Sequence, residues 1–232
     1  MSIEYIYINL DRRPDRRLHM EAELKRVGVD NFVRFPAIDG KMLILENMEE
    51  KKMFSRADYL TRPFKNAIIG NQLSHYSIWR NAIQNNIDYT VVFQDDVYFG
   101  CDDLQKKVKT LIEHMPKDAL VLWLGTHEFA LFNKFIPYDL KNQTIDNNIS
   151  KLFSSVTNEH IGRFKPTVNP CSLAYIITLE GAKSLVNHFQ QIGFLRATDH
   201  NMNSYLIEKN IYYGSLEILA TGNPCFGSDI FT

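Results

Sequence analysis

Apolar positions along the chain follow two rhythms: short continuous runs of strand length, and longer stripes at helical spacing. Ile3 to Asn9 is a β-branched and aromatic run that predicts a strand. Pro14 then stands where a helix begins. Leu18, Ala22 and Leu24 to Val27 form its apolar stripe, and Gly28 ends it. Residues 32–38 predict a second strand closed by Asp39-Gly40, and the charged, weakly patterned residues 41–66 read as a mobile excursion. From Ile68 to Gln84 the pattern is helical again, with Leu73, Tyr76, Trp79, Arg80 and Ile83 at helical spacing. Tyr89 to Phe93 is continuously apolar, the mark of a strand buried on both faces. A helix over 102–115 and a buried strand from Ala119 to Leu124 follow. Residues 126–168 lack periodicity, and in a compact domain that length marks a functional loop or lid. Ser172 to Thr178 predicts a strand, Glu180 to Gln191 a helix, a further helix starts near Asp199, and short strands occupy 211–219.

Strands that alternate with helices argue for a single α/β domain over 1–232, a mostly parallel sheet with helices on both faces. Ligands bind such sheets beyond the carboxyl ends of the strands. Asn9, the Asp95–Asp96 pair and Gly125 fall at those ends, so the three positions are expected to share one cleft. With 26 basic against 27 acidic residues the net charge is -1, and no overall field recruits nucleic acid. The 3 cysteines have no zinc spacing and read as small buried hydrophobes in a reducing compartment. No apolar run reaches the roughly 20 residues of a membrane span, and no leader-like pattern opens the chain. A cytoplasmic protein without a transmembrane segment is the expectation.

Three clusters can carry chemistry. Asp95 and Asp96 directly follow a buried strand, where two adjacent carboxylates repel and need compensation. A divalent cation supplies it, since Mg²⁺ and Mn²⁺ prefer oxygen ligands from carboxylate, phosphate and water. The alternative is an acidic loop ahead of a helix that Asp102 and Asp103 open. Asn9-Leu10-Asp11-Arg12-Arg13-Pro14-Asp15-Arg16-Arg17 puts four arginines within six positions. They suit a uracil edge or a diphosphate. They equally suit a solvated helix face on which Asp15 pairs locally. In Gly70-Asn71-Gln72-Leu73-Ser74-His75, Gly70 permits close backbone approach at a helix start, where free amides suit anions. His75 is either a ligand or a structural histidine.

Taken together, Ile8 to Arg17, Ala37 to Gly40, Gly70 to Trp79, Val92 to Phe99, Trp123 to Gly125 and Ala174 to Leu185 resemble glycosyltransferase family 25. That group contains lipopolysaccharide glycosyltransferases and glycosyltransferases of collagen hydroxylysine. The resemblance implies a GT-A (Rossmann-like) fold, a UDP-sugar donor, Mn²⁺ (or Mg²⁺), and transfer of a hexose to a glycan or hydroxylysine-type hydroxyl. Mapped onto this chain, it points to Asn9, Leu10, Arg12, Arg13, Arg16, Asp39, Gly40, Gly70, Ser74, His75, Gln94 and Asp95 around the donor. Asp96 and Asp229 are the metal candidates, Asp229 closing over the donor late in the fold. The family commonly has Glu-Asp-Asp where this chain has Gln94-Asp95-Asp96; the amide still accepts from a ribose hydroxyl but removes one negative charge. The inverting chemistry the resemblance implies needs a base on the acceptor hydroxyl. Asp199, after the Gly193 to Thr198 turn, is the candidate, with an ordinary helix cap as its alternative. A nucleotide-sugar-binding module without turnover and a metal-dependent hydrolase are the rival readings.

Overall fold

The computed structural model describes residues 1–44, 46, 49–126, 152–222 and 226. Ten strands are named here: β1 (Ile3–Asn9), β2 (Val33–Pro36), β3 (Tyr89–Gln94), β4 (Val97–Phe99), β5 (Val121–Trp123), β6 (Phe153–Val156), β7 (Ile161–Phe164), β8 (Ala174–Thr178), β9 (Tyr213–Ser215) and β10 (Ala220–Gly222). The α-helices are α1 (Pro14–Arg26), α2 (Lys65–Gln84), α3 (Leu104–Glu113), α4 (Leu179–Ile192) and α5 (Thr198–Glu208). Eight strands form one sheet in the order β2-β1-β3-β8-β5-β9-β7-β6, and β4 pairs with β10 in a small second sheet. Followed across its ladders, the large sheet has six strands in one direction, with β8 and β7 opposed. The expected mostly parallel α/β architecture is present.

Successive residues of a strand face opposite sides, and β1 shows why both sides are apolar. Tyr7 reaches Glu21 of α1 at 2.7 Å, whereas Ile6 borders a groove with Ile78 and Arg80 of α2. On the α2 face, Trp79 stacks on Phe189 of α4 at 6.1 Å between ring centroids. On the other face, α3 starts where its Leu104 amide donates to Val27 O, just past α1. Val91, Val92 and Phe93 are fully buried, as a strand covered on both faces requires.

β1 is flanked by β2 on one side and β3 on the other, and both are parallel to it. The chain leaves β1 through α1 to β2 on one side, then crosses back past β1 through α2 to β3 on the other. That reversal opens a crevice at the carboxyl ends of β1 and β3.

Two segments depart from the expectations. Residues 41–66 are not a featureless excursion. A 3-10 helix spans Glu49–Phe54, Phe54 stacks on Phe194 at 5.4 Å, and Tyr59 is buried. Their apolar residues are irregularly spaced among charged ones, so no helical or strand period announces them. Of the expected lid over 126–168, residues 127–151 lie outside the described residues. Residues 152–168 include the hairpin of β6 and β7, which closes the far edge of the sheet.

Candidate functional site

The crevice between β1 and β3 holds a cavity of about 410 Å³. Ile8 and Leu10 line it from the end of β1, Arg12 and Arg16 from the turn into α1 and its first turn. Ala37 to Lys41 come from the loop after β2, Pro63, Phe64, Asn66 and Ala67 from the entry to α2, Asn71 and Ser74 from α2 itself, and Gln94 to Asp96 from the end of β3. Nine of the residues expected around the donor and metal stand there together: Leu10, Arg12, Arg16, Asp39, Gly40, Ser74, Gln94, Asp95 and Asp96.

At the centre, Arg16 Nη1 donates to Asp95 Oδ1 at 2.9 Å and lies 3.2 Å from Asp96 Oδ2. Asp95 Oδ2 accepts from Asn9 Nδ2 at 2.6 Å. Arg34 on β2 holds the other end of the Asn9 amide, donating to its Oδ1 at 2.9 Å. The carboxylates thus differ. Asp95 is 8% exposed and has both oxygens engaged, while Asp96 is 21% exposed and fronts the cavity. Compensation for the adjacent charges comes from Arg16, which is itself buried and also lines the cavity. From the first turn of α1, its single nitrogen Nη1 reaches both carboxylates. Phe226 covers it, with the guanidinium carbon 5.5 Å from the ring centre.

Asp39 caps the 3-10 turn Gly40–Met42 by accepting from the Lys41 amide at 2.9 Å, and pairs with Arg12 at 2.8 Å. Partial burial pushes the Asp39 carboxyl up, but the Lys41 amide and the Arg12 guanidinium outweigh it and hold it below the usual range. Gln94 donates its amide nitrogen to Ser172 Oγ at 3.0 Å.

Four expected site residues have other roles. Gly70 sits in the second turn of α2, not at a helix start, and amides there are taken by carbonyls one turn back. A Cβ on it would lie 2.4 Å from Ile38 O and 2.9 Å from Gly40 N, so Gly70 lets the helix lie against the loop that walls the cavity. Ser74 joins the same contact, accepting from the Ile38 amide at 2.9 Å. His75 is fully buried away from the cavity, its Nδ1 2.7 Å from Tyr175 Oη, and burial lowers its pKa to about 3. It is the structural histidine. Arg13 is engaged by Asp15 at 2.7 Å, the local pairing expected of a solvated helix start. Gly125 is absent from the cavity wall too: its backbone bridges to Ala220, where a Cβ would fall 1.8 Å from Ala220 O.

Asp199 does not line the cavity either. It occupies the first turn of α5, whose capping position is Ala197, so it is not the helix cap. Its Oδ2 accepts from Asn169 Nδ2 at 2.7 Å; Asn169 Oδ1 accepts from the Cys171 amide and from Asn203 Nδ2, both at 2.9 Å. The neighbouring Thr198 donates to Asn71 Oδ1 at 2.6 Å, and Asn71 does face the cavity. Asp229 lies outside the described residues.

Phe64, Asn66, Asn71 and Arg34 were not singled out from sequence. Asn71 stands inside the Gly70 to Trp79 stretch, and that was its available signal. Arg34, Phe64 and Asn66 carry none, because only the packing of α2 and β2 against the end of β1 brings them to the site.

A family model described as glycosyltransferase family 25 (LPS biosynthesis protein) matches residues 1–202. Procollagen galactosyltransferase 2 of Homo sapiens is 29% identical over 192 residues, covering 79% of this chain and 27% of that protein. Probable inactive glycosyltransferase 25 family member 3 of Rattus norvegicus is 34% identical over 129 residues, covering 53% of this chain and 22% of that protein. The chain therefore spans about a quarter of the length of these curated relatives. The crystal structure of a glycosyltransferase involved in the glycosylation of the major capsid of PBCV-1 aligns over 98% of this chain and 95% of that one, with a TM-score of 0.41 and 11% identity.

Proposed function

The chain belongs to glycosyltransferase family 25, and on that premise we propose that the β1–β3 cavity binds a UDP-sugar from which a hexose passes to a hydroxyl acceptor. The observation that carries this reading is the ion cluster of Arg16, Asp95 and Asp96 opening into a cavity of about 410 Å³, which lies at the low end of the range for small-molecule pockets. Arg12 and Lys41 add positive charge to the wall, and Phe64 offers a flat apolar surface to a base. Gln94 is the group whose carbonyl oxygen accepts from a ribose hydroxyl.

The donor set fits Mn²⁺ or Mg²⁺. Asp96, fronting the cavity, is the principal carboxylate; Asp95 backs it and is already oriented by Asn9 and Arg16. When bound, the cation offsets the charge of the departing diphosphate. Arg16 limits that role, because one guanidinium already balances part of the carboxylate charge. On the acceptor side, Asp199 takes the proton as the acceptor oxygen attacks the sugar's anomeric carbon and the bond to the diphosphate breaks, inverting the centre. Asn169 holds that carboxylate in place, and the Thr198–Asn71 bond ties its turn to the cavity wall. A GT-A-like single domain, a glycan or hydroxylysine-type acceptor, and a cytoplasmic location belong to the same proposal. Among the described residues no helix is long and apolar enough to cross a membrane.

A donor panel tests it: UDP release from several UDP-hexoses, with and without Mn²⁺, with and without acceptor. Acceptor-stimulated release from one donor is the expected result, and release unaffected by any acceptor points to hydrolysis instead. Gln94 favours a second reading, a nucleotide-sugar-binding module of weak turnover, and one relative bears a name calling it probably inactive. Tight UDP binding without release across the whole panel would select that reading.

A further inference from the structure

Far from the cavity, the turn between β6 and β7 meets the end of α3. His114 is the residue that ends α3, and Glu159 and His160 lie in the turn. One ligand atom from each of the three lies within 4.8 Å of the others. In the sheet order β7 and β6 stand four and five strands beyond β3, so this cluster is separate from the Asp95–Asp96 pair. The geometry points to a second cation site here, one that takes a borderline transition-metal ion such as Zn²⁺, Co²⁺ or Ni²⁺ on two imidazoles and one carboxylate.

The donor chemistry selects that class of ion. Imidazole nitrogen suits Zn²⁺, Cu²⁺ and Ni²⁺, whereas Mg²⁺ and Mn²⁺ prefer the all-oxygen surroundings of the cavity. Two histidines and one glutamate are also a known zinc ligand set that leaves one position open to water.

The histidines are prepared for it. His114 Nδ1 lies 2.8 Å from Thr110 O, and a carbonyl can only accept, so Nδ1 carries the proton. The lone pair is therefore on Nε2, the tautomer a metal needs, fixed by a backbone carbonyl as ligating histidines usually are. His160 Nε2 and Glu159 Oε1 are 3.3 Å apart. Two ligands on a tetrahedral ion with bonds of about 2.0 Å are separated by about 3.3 Å, so this pair already has the required spacing. The rings of His114 and His160 meet edge to face at 4.6 Å.

The two segments are also tied together without an ion. Asn158 Nδ2 donates to His114 O at 2.9 Å, its Oδ1 accepts from the His160 amide at 2.9 Å, and the Leu216 amide holds His160 O at 2.9 Å. Finally, the carboxyl end of a helix carries partial negative charge, and that end of α3 faces the site.

Titration of the full chain with Co²⁺, followed by visible ligand-field absorption and by calorimetry, tests the inference. One equivalent of tetrahedral Co²⁺ is expected, read from the saturating ligand-field band and displaced by Zn²⁺. His114→Ala and His160→Ala are each expected to weaken it at least tenfold, and Glu159→Gln to weaken it with both imidazoles intact. The substituted side chains are largely on the surface, and far-UV circular dichroism checks the fold of every variant. Asp96→Ala is expected to keep the tetrahedral Co²⁺ band at the parent's affinity. Absence of saturable binding, equal affinity in the His114→Ala/His160→Ala double variant, or loss of the site in Asp96→Ala would each overturn it.

Discussion

Asp95 and Asp96 are adjacent in sequence but should respond very differently to removal. Asp95 is almost fully buried and accepts from Arg16 at 2.9 Å and from Asn9 at 2.6 Å. Asp95→Ala would leave Arg16 buried beside Asp96 at 3.2 Å, and would take from Asn9 Nδ2 its shorter acceptor, leaving the Arg13 carbonyl at 3.1 Å. Breaking a buried ion pair from one side costs about 3–5 kcal/mol, and a lost buried acceptor about 1–3 kcal/mol. The remaining Asp96 carboxylate offsets part of this, so about 3–5 kcal/mol in total is expected. That is a large share of the roughly 5–15 kcal/mol that holds a domain together. Asp96→Ala removes a longer contact from a partly exposed group and should cost about 1 kcal/mol or less. Its effect should appear instead in turnover, which Asp96→Ala is expected to abolish while the protein stays folded. Urea unfolding followed by far-UV circular dichroism gives the two stabilities, and UDP release gives the activities. Equal unfolding midpoints for the two variants, or near-normal transfer by a folded Asp96→Ala, would refute the division of labour.

Gly70→Ala should destabilise, although Gly→Ala inside a helix ordinarily stabilises by about 1 kcal/mol. The added methyl meets backbone atoms of Ile38 and Gly40 that cannot swing away, an overpacking cost of about 1–3 kcal/mol; a raised melting temperature would contradict this. Stability should fall as pH drops from about 6.5 toward 3, because His75 stays neutral in the folded protein down to about 3 while the unfolded chain takes up its proton. The His75 share of that slope is about 1.4 kcal/mol per pH unit; comparing unfolding midpoints from pH 7 to 4 with His75→Gln isolates it, and parallel curves would exclude it. Asp199→Asn should lower transfer by roughly 10²–10⁴ with UDP affinity nearly unchanged. Isothermal titration with UDP beside steady-state transfer reads both, and transfer within a few-fold of the parent would remove Asp199 from the mechanism.

The strands that build the crevice were legible in the sequence because each is nearly self-describing. Ile3–Asn9 and Tyr89–Gln94 are apolar on both faces, and a chain segment of that kind has few stable places outside the middle of a covered sheet. The helices announced themselves by period and by punctuation, Pro14 as the first residue of α1 and Gly28 after its end. From strand ends alone the Asp95–Asp96 pair could be set beside Asn9. Tertiary structure decided which partner neutralises that pair, since Arg16 and Asp95 are 79 positions apart and only the β1–β3 pairing brings α1 over the end of β3. It likewise turned Gly70 from an anion cradle into a close helix–loop contact and sent His75 into the core against Tyr175. β4, β10 and the β6–β7 hairpin were missed because, unlike the equally short β2, β5 and β9, they lie in no longer run of apolar residues, and only ladder bonds to other segments define them. Sequence pattern reports what a residue does with its own face of its own element. Which opposite charge or backbone it meets there is set by the packing of elements far apart along the chain.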